Sequence, residues 1–344
     1  MIDLRSDTVT LPSNEMKSFL IKAPLGDDVY GEDPSINELE SKIANLFDKE
    51  DALFVPSGTM ANLISVLTHC NRGDEVLLGN KSHIFKYEAG GISAFGGIHS
   101  HQLQNNNDGT INIKDIQNNI RNHNDDHYPK TSLMCLENTH NLCYGAPIQN
   151  DYVSNVKTIL NQNNIHLHID GARIFNAAIA LNVDVKTLAK HSDSITCCLS
   201  KGLSSPVGSL IISNYNFIQK ARRLRKALGG GMRQAGLLAS CGLFSINNMI
   251  TRLKEDHNNA NELAVKLQEF DEININMKNI HTNLIFFNLK SDNITCENFI
   301  KELLNYEIKI DYKGNSKFRM VTHFGIKNSD IETIINALKN IFKK

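Results

Sequence analysis

Ile195-Thr-Cys-Cys-Leu-Ser200-Lys201-Gly202 is an apolar, strand-like run that ends in a single amine flanked by serine and glycine. A second such run, His166-Leu-His-Ile-Asp170-Gly-Ala-Arg173, ends in a carboxylate with a guanidinium three residues on. Each run delivers one polar group at its carboxyl end, as strands of a largely parallel sheet covered on both faces do. The ordinary reading of the same residues is a solvent-facing lysine and an aspartate that caps the next turn.

Four more runs, at 52–56, 75–78, 131–136 and 208–212, fit the same sheet, with room between most of them for crossover helices. Asp33 can cap a helix over 34–47, the first that the pattern predicts, with Pro34 at its first position and Ile36, Leu39, Ile43 and Leu46 as its apolar stripe. Gly229-Gly-Gly231 interrupts the chain before a long helical stretch reaching about Leu267; short strands and helices then alternate. The glycine run reads as a flexible connection or as a place where another subunit approaches closely. The expectation is a large α/β domain over 1–250, including the N-terminal segment, and a smaller α+β domain over 251–344.

A chain of 344 residues with 41% hydrophobic content can bury two cores. Its 36 Lys plus Arg against 37 Asp plus Glu leave a formal charge of -1. That balance provides no basic footprint for nucleic acid or an anionic membrane and points to a small soluble substrate. Seven cysteines, an odd number with no zinc-ribbon spacing, read as reduced thiols. Met1-Ile-Asp-Leu-Arg5 lacks the charged lead and apolar stretch of a secretory leader, and no apolar run approaches about 18 residues. The expected location is cytoplasmic, with no resident metal.

Ser57-Gly58-Thr59 falls between a strand and a helix start, where free N–H groups and hydroxyls hold a phosphate or simply cap the helix. The glycine-containing turns match neither the Walker A nor the dinucleotide fingerprint. A phosphate cup, an amine at Lys201, an acid at Asp170 and the nearby Arg173 together supply what a pyridoxal 5'-phosphate enzyme needs for the phosphate, the aldehyde, the ring nitrogen and the phenolate or substrate carboxylate.

An ordered series of motifs then extends this reading along nearly the whole chain: Ile2-Asp-Leu-Arg-Ser-Asp-Thr-Val-Thr10, Gly26-Asp-Asp-Val-Tyr30-Gly-Glu-Asp-Pro34, Glu88-Ala-Gly-Gly91, Leu136-Glu-Asn-Thr-His140, Asp170-Gly-Ala-Arg-Ile-Phe-Asn176, Leu199-Ser-Lys-Gly202 and Leu228-Gly-Gly-Gly-Met-Arg-Gln234. The series resembles the low-specificity L-threonine aldolases. The resemblance implies the aspartate-aminotransferase-like type I fold, with a mostly parallel seven-stranded sheet covered by helices and a smaller C-terminal α+β domain. It also implies reversible cleavage of β-hydroxy-α-amino acids to glycine and an aldehyde, in homotetramers built as dimers of dimers with shared active sites. By resemblance, Lys201 carries the cofactor aldehyde, Asp170 partners the ring nitrogen, Gly58 and Thr59 form the phosphate cup, and His83 stacks on the ring. Arg233 and Lys226 reach the phosphate from a neighbouring subunit, Tyr30 reaches the neighbouring site, and Ser6, Arg173 and Arg319 hold the substrate carboxylate. His127 is a second pocket histidine, so His83, His127 or a water between them remain candidates for the base.

Each of these residues has an ordinary competitor. His83 can be a packed histidine, His127 a solvated loop residue, Tyr30 a core aromatic and Ser6 a turn cap, while the three arginines can form structural ion pairs. Two other functions compete as well: a different type I pyridoxal phosphate enzyme acting on a small amino acid, and a binding homologue without chemistry. Glycine formation without a keto acid separates the first, and a colourless protein marks the second.

Overall fold

The computed structural model describes residues 1–290 and 293–343. After β1 (Ile2–Asp3), the strands β2 (Asp51–Val55), β3 (Glu75–Gly79), β4 (His99–Leu103), β5 (Thr131–Glu137), β6 (His166–Asp170), β7 (Ser194–Cys198) and β8 (Ser209–Ser213) form one sheet in the order β2-β8-β7-β6-β5-β3-β4. β3 to β7 run parallel, and β8 is antiparallel to both of its neighbours. All six runs read as strands from the sequence are strands. β4 was not foreseen, because His99-Ser-His-Gln-Leu103 lies at the sheet edge with one partner and one fully covered residue, and so lacks an apolar run.

Alternation in β6 organises the centre of the molecule. Leu167 and Ile169 point into the core formed with the helices on one face. His168 and Asp170 point to the other face, beneath helix Gly58–His69 with its Asn62 and Ser65. Burying each of the two aliphatic chains is worth about 1.5–3 kcal/mol, and a slip of one residue would drive an imidazole and a carboxylate into that core instead.

Helix Pro34–Leu46 forms as expected, with Asp33 Oδ1 accepting from the N–H groups of Ser35 and Ile36 at 3.1 Å each. It is not the first helix, however. Asn14–Leu20, capped by Ser13, precedes it; only Met16 is buried there, so it carries no apolar stripe, and Phe19 packs on Phe244 across a 6.0 Å ring separation. The long helical stretch is also divided, into Gly236–Asn248 and Leu253–Leu267. Leu253 faces the large core whereas Ala260, Leu263, Ala264 and Leu267 face the small one, and the break lets the two segments serve different cores.

In the smaller unit β9 (Ile273–Ile275), β10 (Leu284–Leu289), β12 (Asp311–Tyr312) and β13 (Lys317–Val321) form an antiparallel sheet backed by helices Cys296–Asn305 and Asn328–Phe342. β11 (Ile308–Lys309) pairs in parallel with β1, and Leu4 is buried in the same core. The first residues therefore pack on the C-terminal unit, and the chain crosses to the large sheet at Asp7.

Candidate active site

The carboxyl ends of β3, β5, β6 and β7 converge, the usual position for a site in a parallel sheet. Asp170, the last residue of β6, is buried; its Oδ1 accepts from the Ala172 N–H at 3.1 Å and its Oδ2 from Asn62 Nδ2 at 2.9 Å. Lys201 follows β7 and is half-buried, and its charge acts on both Asp7 and His83. His83 opens a short helix after β3. Its backbone N–H donates to Glu137 Oε2 at 2.7 Å, and its Nδ1 is 2.8 Å from Glu88 Oε1.

Helix Gly58–His69 starts beside these groups. Ser57 Oγ accepts from the Met60 N–H at 3.2 Å, and the N–H groups of Gly58 and Thr59 precede the first intrahelical bond. An added Cβ at Gly58 would lie 2.8 Å from Cys198 Sγ, so glycine lets the helix start close to β7. Gly230, in the middle of the 229–231 run, is closely packed, while Gly229 is exposed. Gly229, at φ +80°, ends helix Tyr215–Ala227, Gly230 donates to the Arg225 carbonyl at 2.8 Å, and a Cβ on Gly230 would collide with Met60 Sδ.

Opposite the cup lies a cationic corner. Arg173 donates from Nε and Nη2 to the two oxygens of Asp7 at 2.7 Å each, and Asn283 adds a third bond at 3.3 Å. Burial alone would raise the Asp7 pKa, but Arg173, with Lys201 and Asn283, outweighs it and holds the carboxyl well below the ordinary range. Arg319, from β13, donates to Asn141 Oδ1 at 2.7 Å and to the Arg5 carbonyl at 2.8 Å, and pairs with Asp311 at 2.7 Å. Its buried Nε has no partner among the described residues. Burial and then the neighbouring Arg173 charge lower the Arg319 pKa. An orphan donor beside two crowded guanidinium groups suits a carboxylate guest. Ser6 lies alongside, where it caps the turn Asp7–Val9.

Lys201, Asp170, His83, Gly58, Thr59, Arg173, Arg319 and Ser6 thus gather at one end of the sheet. The other expected residues stand apart within a single chain. His127 is exposed in a loop and bound to Asp125 at 2.8 Å, Tyr30 is 76% exposed, Arg233 is exposed and pairs with Asp27 at 3.1 Å, and Lys226 is exposed. Sequence reasoning assigned no role to Asp7, Asn62, Glu88, Glu137 or Asn141. Glu137 serves both sides of the site, since its second oxygen accepts from the Asn141 N–H at 2.8 Å and Asn141 in turn holds Arg319. Asp7, Glu88 and Glu137 stand inside quoted motifs and Asn141 directly follows one, which was the available signal; Asn62 had none.

The residues present fit pyridoxal phosphate: donors at a helix start for its phosphate, Lys201 for its aldehyde and a buried carboxylate for its ring nitrogen. Fold and site together define a type I pyridoxal phosphate enzyme. A family model described as beta-eliminating lyase matches residues 3–290. Low-specificity L-threonine aldolase 1 of Arabidopsis thaliana is 43% identical over 341 residues, 98% of this chain and 95% of its own. The low specificity L-threonine aldolase of Escherichia coli K12 is 39% identical over 334 residues, 97% of each. The solved threonine aldolase of Leishmania major has the same fold, with a TM-score of 0.83 at 20% identity over 99% of each chain. The chain belongs to the family of low-specificity L-threonine aldolases.

Proposed function

We propose that this enzyme, a carbon-carbon lyase, cleaves L-threonine and L-allo-threonine reversibly to glycine and acetaldehyde. The observation that carries this reading is the placing of Lys201, Asp170 and His83 at or just past the carboxyl ends of β7, β6 and β3 in one sheet, together with the orphan Nε of Arg319. Pyridoxal phosphate, when bound, supplies an aldehyde for the substrate amine and a ring that accepts the electron pair of the breaking bond.

The chain's own residues do the rest. Asp170 would hold a proton on the ring nitrogen of the bound cofactor; opposite unit charges about 4 Å apart at an effective dielectric of 20 attract by roughly 4 kcal/mol. Arg319, with Ser6 and Arg173, would hold the substrate carboxylate and so orient the bond that breaks. His83 takes up the β-hydroxyl proton, directly or through a water. A D substrate would misplace either its carboxylate or its scissile bond.

The exposure of Tyr30, Lys226 and Arg233 supports sites completed across subunit contacts, in a homotetramer built as a dimer of dimers. Seven cysteines without a disulfide support a reducing, cytoplasmic location. The test is acetaldehyde release from all four stereoisomers, with an imine absorbance that borohydride abolishes. Turnover of both L epimers and neither D form is expected, and comparable turnover of a D form would overturn the reading. Sedimentation over a dilution series should show at least a dimer, and a fully active monomer would remove the shared-site reading.

A further inference from the structure

The hydrogen bonds behind His83 form a directed chain. His83 Nδ1 meets Glu88 Oε1 at 2.8 Å, and the Glu88 side chain is buried. The Asn62 amide nitrogen donates to that same Glu88 oxygen at 2.8 Å and to Asp170 Oδ2 at 2.9 Å. His83, Glu88 and Asp170 place their polar atoms within 4.8 Å of one another, so one amide serves two carboxylates.

The orientation of Asn62 is determined from behind. Its Oδ1 accepts from Thr196 Oγ1 at 3.2 Å and from His168 Nε2 at 3.1 Å. His168 is fully buried, and burial pushes its pKa down to about 4, so it is neutral; its Nδ1 accepts from Ser194 Oγ at 2.8 Å, and that oxygen accepts from His69 Nε2 at 2.8 Å. Turning the amide over would aim its oxygen at two carboxylates and its hydrogens at another donor.

We propose that Glu88, held by Asn62, is the positioning residue that fixes His83 in the Nδ1–H tautomer and leaves Nε2 as the proton acceptor of the site. A carboxylate at Nδ1 orients the ring and stabilises the imidazolium that forms when Nε2 is protonated, as in any base oriented by an acid behind it. The proton passes from the substrate oxygen to Nε2, and the O–H electron pair becomes the aldehyde C=O as Cα–Cβ breaks. Asn62 reserves Glu88 for the base and Asp170 for the ring nitrogen. Burial lowers the His83 pKa, but Glu88 and Asp170, which face the ring, outweigh burial and the Lys201 charge, and the net direction is upward. The Tyr87 ring lies 5.6 Å away and Glu137 binds the backbone N–H.

The hydroxyl step rests on the aldolase reading; the tautomer does not. Ring-nitrogen NMR of the cofactor-free full chain, assigned with His83→Phe, should show the Nδ1–H form above pH 8. In Glu88→Gln the amide oxygen should still face Asn62 Nδ2 and accept from Nδ1–H, but the carboxylate charge is gone, so the protonation midpoint of the ring should fall by about one pH unit or more. With cofactor, Glu88→Gln should keep the imine absorbance while kcat falls about a hundredfold, its acid limb moving with His83 and KM changing only a few fold. Glu88→Asp should retain the Nδ1–H form, which keeps the test decisive if the glutamine variant does not fold. An Nε2–H tautomer in the wild type, or a glutamine variant with unchanged protonation midpoint and rate, overturns the proposal. A wild type that binds cofactor but releases no acetaldehyde from any stereoisomer overturns the aldolase reading, while the NMR result still decides the role of Glu88.

Discussion

Replacing Asp7 with alanine removes the partner of a buried guanidinium. The wild-type pair has two bonds of 2.7 Å, and both side chains are almost wholly out of water. Breaking such a pair from one side costs about 3–5 kcal/mol, because the remaining charge stays buried without compensation. With a urea slope of about 3 kcal/mol/M, near the upper end for small proteins, the unfolding midpoint of the cofactor-free chain should fall by about 1 M or more. Asp7→Asn keeps one acceptor and should fall between the two. Asp7→Leu combined with Arg173→Met removes both charges and should recover most of the loss. The folded Asp7 pKa lies below its ordinary value of 3.8, so this stabilisation is fully present above pH 3.8 and lost only as the pH falls through the lower folded value. The alanine penalty should therefore be the same at pH 5 and pH 8. Asp7 also carries the chain past Ser6 and aligns Arg173, so Asp7→Ala should raise KM for threonine about tenfold and leave the imine absorbance in place. An alanine midpoint within about 0.3 M of wild type would refute the reasoning, since it would show that Arg173 finds another partner or water.

Lys201→Ala should abolish the imine absorbance and nearly all acetaldehyde release without changing the unfolding midpoint; a retained band and rate would exclude this lysine. Gly58→Ala brings a methyl group to 2.8 Å from Cys198 Sγ. Displacement of the helix start should weaken cofactor binding at least tenfold, about 1.4 kcal/mol, in an absorbance titration, and unchanged affinity would exclude the cup. Arg319→Ala should raise KM for threonine about tenfold to a hundredfold, as expected for losing charged hydrogen bonds worth about 1.5–3 kcal/mol, and a KM within twofold of wild type would place the carboxylate elsewhere. His168 titrates at about 4 when folded against an ordinary 6.5, so the unfolded chain binds the extra proton between those values. Stability present above pH 6.5 should fall by about 3 kcal/mol from this residue as pH drops to 4; His168→Gln should flatten that part of the urea-midpoint profile, and an unchanged slope would refute it.

The sheet and the cofactor-binding side chains on its strands were legible because both are local. An apolar run that ends in Asp170 or is followed by Lys201 declares a strand and its functional end in the same few residues, and Ser57 with Gly58 declares a helix start. Expectation failed where tertiary packing overrode the local pattern: at the edge strand His99–Leu103, in helix Asn14–Leu20, and at the break near residue 250. Buried polar partners were the other gap. Asn62 meets Asp170 across 108 residues and Arg173 meets Asp7 across 166, and no periodicity records such a pairing. Residue types at strand and helix ends are properties of one element, and the chain alone determined them. Which oxygen an amide faces, which nitrogen of an imidazole carries the proton and which arginine keeps a free donor depend on charges that several elements bring within a few ångströms, and only the folded arrangement decided those.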